Sequence, residues 1–179
     1  MSTYREIHGG RVNVVSSNPS NPQDGEVWYN STLGQLKGYV LGTAAWASLP
    51  SLGTGRYNAS GAGDSTSALV FGGGPGALAD TEEYNGSSWS EQNNLGTARR
   101  YLAGCGTQTA GLAFGGQSPA TAKTEEYDGT SWSEQNDMPA TGFQMAGAGT
   151  QTAGLGFGGY KPGSPNGNNV TYEYDGTNW

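Results

Sequence analysis

The sequence predicts an all-β fold: a β-propeller of four-stranded blades, incomplete within this chain, preceded by an extended N-terminal arm. Three observations carry that expectation. One glycine-rich stretch is written twice in near-identical form, GTQTAGLAFGG at 106–116 and GTQTAGLGFGG at 149–159, with a looser copy, GDSTSALVFGG, at 63–73. Phe71, Phe114 and Phe157 therefore recur every 43 residues, as do the pairs Tyr84/Tyr127 and Trp89/Trp132. No apolar pattern of 3.6-residue period has useful length, which argues against helix.

The elements follow in chain order. Residues 1–22 are polar, end in NPSNPQ, and read as an arm. Residues 23–52 hold DGEVWYNSTLGQLKGYVLGTAAWASLP, which turns like a β-hairpin or partial blade: strands at 27–29, 35–40 and 45–48, a turn at 30–34, and Tyr39 and Trp46 as a degenerate Tyr–Trp pair. Three repeats cover 53–95, 96–138 and 139–179. In the middle copy, strands are expected at 101–106, 109–114, 123–127 and 131–134. Gly115-Gly116 ends the second by taking positive φ or by letting backbones approach closely. Asp128-Gly129, matched by Asn85-Gly86 and Asp175-Gly176, suggests a two-residue type I′ hairpin between the third and fourth. In the third repeat Tyr174 follows Tyr127 by 47 residues, and the four extra fall in the loop-forming run GGYKPGSPNGNNVTY.

A four-stranded unit of this length cannot bury both faces alone, so neighbours must stack. The expected blade-core rings are Phe71, Tyr84, Trp89, Phe114, Tyr127, Trp132, Phe157, Tyr174 and Trp179. Burying one such ring contributes about 2–3 kcal/mol.

At LAFGG (112–116), EEYDGTSW (125–132) and DMPATGF (137–143) the chain resembles the kelch repeats: an apolar strand, a Gly doublet, a Tyr and a Trp, then a short link to an Arg. Arg56, and either Arg99 or Arg100, stand at the arginine place; the third link has Gly142-Phe143 there instead. The repeats together with the NPxxGxxWYNSTxGxLKGY hairpin are similar to kelch-like structural proteins of marine tailed phages, including those of cyanobacteria. That resemblance implies a virion component made in the host cytoplasm, a tail fibre or another appendage. Residues 1–22 would dock it onto other virion proteins, and the loops at the blade ends would meet a host-surface glycan. Capsid decoration, a cellular kelch scaffold and a glycan-cleaving propeller are the alternatives. The missing fourth strand after Trp179 suggests a longer protein, or several copies completing a ring as a homo-oligomer.

Composition narrows the function classes. Thirty-two Gly with 5 Trp and 10 Tyr suit short strands and tight turns rather than disorder. Eight scattered cations and a net charge of −7 disfavour nucleic acid and anionic membranes. No apolar run could span a bilayer, and no apolar signal-peptide core is present at the N-terminus. With His8 the only histidine and Cys105 the only cysteine, neither a His-dependent triad nor a zinc or copper site assembles from this chain. The copper-radical oxidases built on kelch propellers use several His and a Tyr–Cys pair, a set absent here. No catalytic residue, metal or cofactor is expected. Glu82-Glu83 and Glu125-Glu126 recur at the repeat period and are expected at solvated places rather than as a glycosidase pair. Asp64 and Asp80 lack calcium-loop spacing, and the Asn-x-Ser/Thr sites at Asn30, Asn58, Asn85 and Asn169 are chance matches.

Overall fold

The computed structural model describes residues 12–21, 26–38, 48–164 and 167–179. The chain divides into two compact units, Met1–Ser48 and Leu49–Trp179. All regular structure among the described residues is strand. His8, Tyr39 and Trp46 lie outside the described residues.

The N-terminal unit contains β1 (Asn13–Val15), β2 (Val27–Asn30) and β3 (Gln35–Gly38). The expected hairpin is β2–β3, paired antiparallel through Asn30↔Gln35. The arm is not wholly outside structure, since β1 pairs parallel to β2. Asn18 explains why this segment is held: its Oδ1 accepts hydrogen bonds from Trp28 Nε1 at 3.3 Å and Asn30 Nδ2 at 3.0 Å.

The larger unit is three sheets in sequence order. The first is β4 (Ser60–Gly63), β5 (Ala68–Phe71), β6 (Thr81–Tyr84) and β7 (Trp89–Gln92). The second is β8 (Ala103–Thr107), β9 (Ala110–Phe114), β10 (Thr124–Tyr127) and β11 (Trp132–Gln135). The third is β12 (Ala146–Thr150), β13 (Ala153–Phe157) and β14 (Thr171–Tyr174). Each is an antiparallel meander, and strand bounds in the middle repeat fall within two residues of those the sequence predicts. The sheets are not closed on themselves.

The expected two-residue turn is corrected. Tyr127 pairs with Trp132, so four residues separate β10 from β11. Only Gly129 has positive φ (91°), whereas a type I′ turn needs two such residues. Asp128 forms an Asx turn instead: its Oδ1 accepts from the Thr130 and Ser131 amides at 2.8 and 2.7 Å.

Consecutive sheets are joined by one interface used twice. Phe71 and Phe114 are fully buried, and each meets an indole of the following repeat edge-on: Trp132 at 4.9 Å and Trp179 at 4.8 Å. The same indoles donate Nε1 to Thr81 Oγ1 (2.9 Å) and Thr124 Oγ1 (2.8 Å). The Tyr127 and Tyr174 hydroxyls donate to Glu83 and Glu126, both at 3.0 Å. Gln108 and Gln151 donate to the carbonyls of Tyr84 and Tyr127 at 2.6 and 2.7 Å. Those glutamines are why GTQTAG recurs. Where β8 faces Phe71 there is no room for a side chain, since a Cβ on Gly104 would lie 2.5 Å from the Phe71 ring.

The Gly doublets do both things expected of them. Gly115 and Gly116 have φ of 63° and 120°, and the Gly116 amide donates to Gly142 O of the next repeat at 2.8 Å. Gly73 donates to Arg99 O at 2.9 Å in the same way.

The acidic pairs differ from expectation. Glu82 and Glu125 are buried, at 1% and 2% exposure. They form ion pairs of 2.5 Å with Arg56 and Arg99. Each second carboxylate oxygen accepts a backbone amide, Gly53 N at 2.7 Å or Gly96 N at 2.6 Å. The arginine place is therefore Arg99, not Arg100. A buried charge demands such compensation, and solvated positions were the wrong expectation because Glu-Glu on a strand puts one carboxylate on each face. The third repeat lacks all three components together: Pro139, Gly142 and Tyr172 replace the amide donor, the guanidinium and the carboxylate. Tyr172 packs instead against the apolar cluster around Leu112 and Phe114.

Phe157, expected between blades, is 38% exposed, with no further sheet against the third among the described residues. Trp89 is half-buried.

Removing one partner of a buried pair leaves a bare charge. Arg99→Met is therefore expected to lower the unfolding free energy by about 3–5 kcal/mol in urea titrations, while Arg99→Met with Glu125→Leu recovers most of the loss. Equal destabilisation by the single and double variants would contradict this assignment.

Candidate functional site

One end of the sheets gathers the segments that precede the first strand of each repeat and the loops that follow the second. Isolated bridges Tyr57↔Gly74, Arg100↔Gln117 and Phe143↔Tyr160 tie these pieces together. Asn58, Tyr101 and Gln144 follow, all with left-handed φ (53°, 56° and 57°). This strained conformation is uncommon for residues other than Gly. It is over-determined here by a chain of backbone bonds between repeats: Tyr101 N donates to Asn58 O at 2.9 Å, and Gln144 N to Tyr101 O at 2.7 Å.

The side chains at this end form a row. The Arg100 guanidinium sits 5.4 Å over the Tyr101 ring. Tyr101 lies 6.4 Å from Phe143, and Phe143 lies 4.9 Å from Tyr160. Arg100, Tyr101 and Phe143 are half-buried, whereas Tyr160 is 37% and Tyr57 53% exposed. No carboxylate pairs with Arg100 among the described residues, unlike Arg56 and Arg99. The row therefore offers flat aromatic faces, the Tyr101 and Tyr160 phenols and an unpaired cation on an acidic protein. That chemistry suits binding a polar, ring-shaped ligand through stacking and charge-assisted hydrogen bonds.

The sequence did not single out this row. Tyr57, Arg100 and Phe143 occupy equivalent repeat positions but share no residue type, so periodicity hides them. The nine rings singled out by the repeat lie elsewhere, within and between the sheets.

Shifted ionisation lies away from the row and has structural causes. Burial pushes the Cys105 thiol up to about 11, making it an inert core group. Tyr127 and Tyr174 are pushed well above the usual phenol value, first by burial and then by the hydrogen bonds to Glu83 and Glu126. Asp128 and Asp175 are held low by the backbone amides of their turns, Asp64 by the Thr66 hydroxyl and amide. No group of three or more His, Cys, Asp or Glu is placed to hold a metal among the described residues. An open depression of about 590 Å³ runs along Val14–Ser20 and is lined by no ionisable side chain.

No family model matches this chain, and no curated protein matches it. Among solved structures, the one titled "Structure of YjhT" is similar, with TM-score 0.57 and 9% identity over 82% of this chain and 48% of that one. The likeness is one of fold, and this chain spans about half the length of that structure.

The raised Tyr127 and Tyr174 values set a sign for stability. Their contribution is complete below the unfolded phenol value near 10 and is lost as pH rises through the higher folded values. Thermal melts are expected to fall as pH rises past about 10, and less steeply for Tyr127→Phe. An unchanged slope in that variant would count against the Tyr127–Glu83 contact.

Proposed function

We propose that this chain is part of a kelch-like β-propeller in a non-enzymatic phage virion protein, a tail fibre or other appendage. It docks through residues 1–22 and presents its loop end to a glycan on the host surface. The observation that carries the reading is the 43-residue unit with its Gly doublet, Tyr–Trp pair and link arginine, together with the WYNSTLGQLKGY hairpin. Support for a propeller comes from the order of the sheets: each packs on the next in sequence, through the same rings and the same hydrogen bonds. Support for glycan contact comes from the row Arg100–Tyr101–Phe143–Tyr160. Stacked aromatic faces beside an unpaired guanidinium fit a sugar ring, an anionic one especially.

Two measurements test the reading. Mass spectrometry and electron cryomicroscopy of purified particles are expected to find the protein on a tail appendage, and deleting residues 1–22 is expected to abolish incorporation while the repeats stay folded. Its absence from the particle would overturn the virion assignment. Binding to host polysaccharide is expected without shortening of the sugar chains, and Phe143→Ala or Arg100→Ala is expected to weaken it by about tenfold or more. Chain shortening would instead identify an enzyme.

A further inference from the structure

Positive φ is met in this chain by glycine, repeat after repeat. In the middle repeat Gly106, Gly115, Gly116 and Gly129 have φ of 105°, 63°, 120° and 91°, and the equivalent residues of the other two repeats are glycines with positive φ as well. At Gly129 a Cβ would meet nothing closer than 3.3 Å, so φ rather than crowding keeps glycine there. A fifth place is left-handed in all three repeats and glycine in none: Asn58, Tyr101 and Gln144, with φ of 53°, 56° and 57°. Among the described residues the only other exception is Ser118. Asn tolerates this region, but Tyr and Gln seldom enter it. The fifth place therefore keeps side chains at a cost in stability, and residues held in this way cluster at ligand clamps.

The fold makes no use of the polar group of the middle member. Tyr101 has a repeat on each side within this chain, yet its hydroxyl takes part in no hydrogen bond among the described residues, whereas the Tyr127 and Tyr174 hydroxyls bridge sheets. Backbone bonds run from Gln144 N to Tyr101 O and from Tyr101 N to Asn58 O. They set an amide, a phenol and an amide side by side, one per repeat. An Asn or Gln side chain offers two donors and a carbonyl acceptor, and a phenol both donates and accepts. That set complements hydroxyl groups, which also do both, better than it complements an apolar ligand.

We propose that Asn58, Tyr101 and Gln144 are specificity-determining contacts for a sugar chain that runs from repeat to repeat across the loop end. Their side chains read its hydroxyls, while the aromatic row stacks on its ring faces. This rests on the reading of that end as a glycan-contact surface, and adds which groups of the sugar are read. The strain at the fifth place is then the cost of carrying one hydroxyl-reading side chain per repeat.

Isothermal titration calorimetry of the 179-residue chain with purified host-surface polysaccharide tests this. Tyr101→Phe, Asn58→Asp and Gln144→Gly are each expected to weaken binding about two- to tenfold, the range of one hydrogen bond. Each is also expected to keep or raise the thermal midpoint. Tyr101→Phe retains the ring, Asn58→Asp retains shape and left-handed tolerance, and Gln144→Gly relieves the backbone. Methylating the hydroxyls of the polysaccharide is expected to erase the difference between parent and variants. Variants that bind like the parent overturn the proposal, and the aromatic row stands without it if Phe143→Ala still weakens binding. Loss of binding together with a lower thermal midpoint also overturns it, because the side chains would then be structural. A parent chain that binds no host polysaccharide removes the glycan reading, and this inference with it.

Discussion

The structure depends on a space left by glycine and filled by an aromatic ring from the neighbouring repeat. Phe71 and Phe114 lie where Gly104 and Gly147 present bare backbone, and a Cβ on Gly147 would stand 3.1 Å from the Phe114 ring. An indole of the following repeat closes each ring from the side. Each buried ring contributes about 2–3 kcal/mol, and the hydrogen bonds around it fix one register. The glycine abundance that makes the composition look poor in apolar groups is thus the mould for the core. It lets thin sheets approach closely enough for their few large side chains to touch.

Around that contact the polar groups act in sets. Arg99, Glu125 and the Gly96 amide form one buried unit, as do Arg56, Glu82 and the Gly53 amide. The third repeat carries none of the three, having Pro139, Gly142 and Tyr172. Physics explains the concerted change: any two of the three without the third would leave a charge or a donor unsatisfied in the interior. The unit fastens the link segment of one repeat to its own third strand, so its loss frees the third link to take a different apolar packing. Met138 and Met145 stand at the places of Leu95 and Leu102, soft side chains suited to irregular gaps, and the Met145 sulfur lies 2.9 Å from where a Cβ on Gly142 would stand.

Most of the strand order was legible because Gly doublets and Tyr–Trp spacing mark where strands stop and start. The Arg99 place was legible to within one residue. The burial of Glu82 and Glu125 was not, since TEEY reads as a polar strand and the partner arginine stands 26 residues earlier. The concerted change in the third repeat was the available signal. The turn at Asp128-Gly129 was misread because local residue types favour a tighter hairpin, while the Tyr127↔Trp132 register sets a four-residue loop. The candidate ligand row stayed hidden for the opposite reason to the core: its residues do not repeat. On a repetitive scaffold the candidate for a ligand surface is the place where equivalent positions stop agreeing, as at Tyr57, Arg100 and Phe143.

The proposed function follows from this division of labour, with repeating positions holding the sheets together and non-repeating ones at the loop end free to meet a ligand. The claim beneath it is that successive repeats are bonded to one another, backbone included, and do not hang as separate hairpins. Native-state hydrogen exchange at Gly73, Tyr101, Gly116 and Gln144 tests this most directly, because these amides donate only across repeats. The account predicts protection comparable to the strand amides of β9 and β10. Exchange at the rate of free loop amides at these four positions would contradict it.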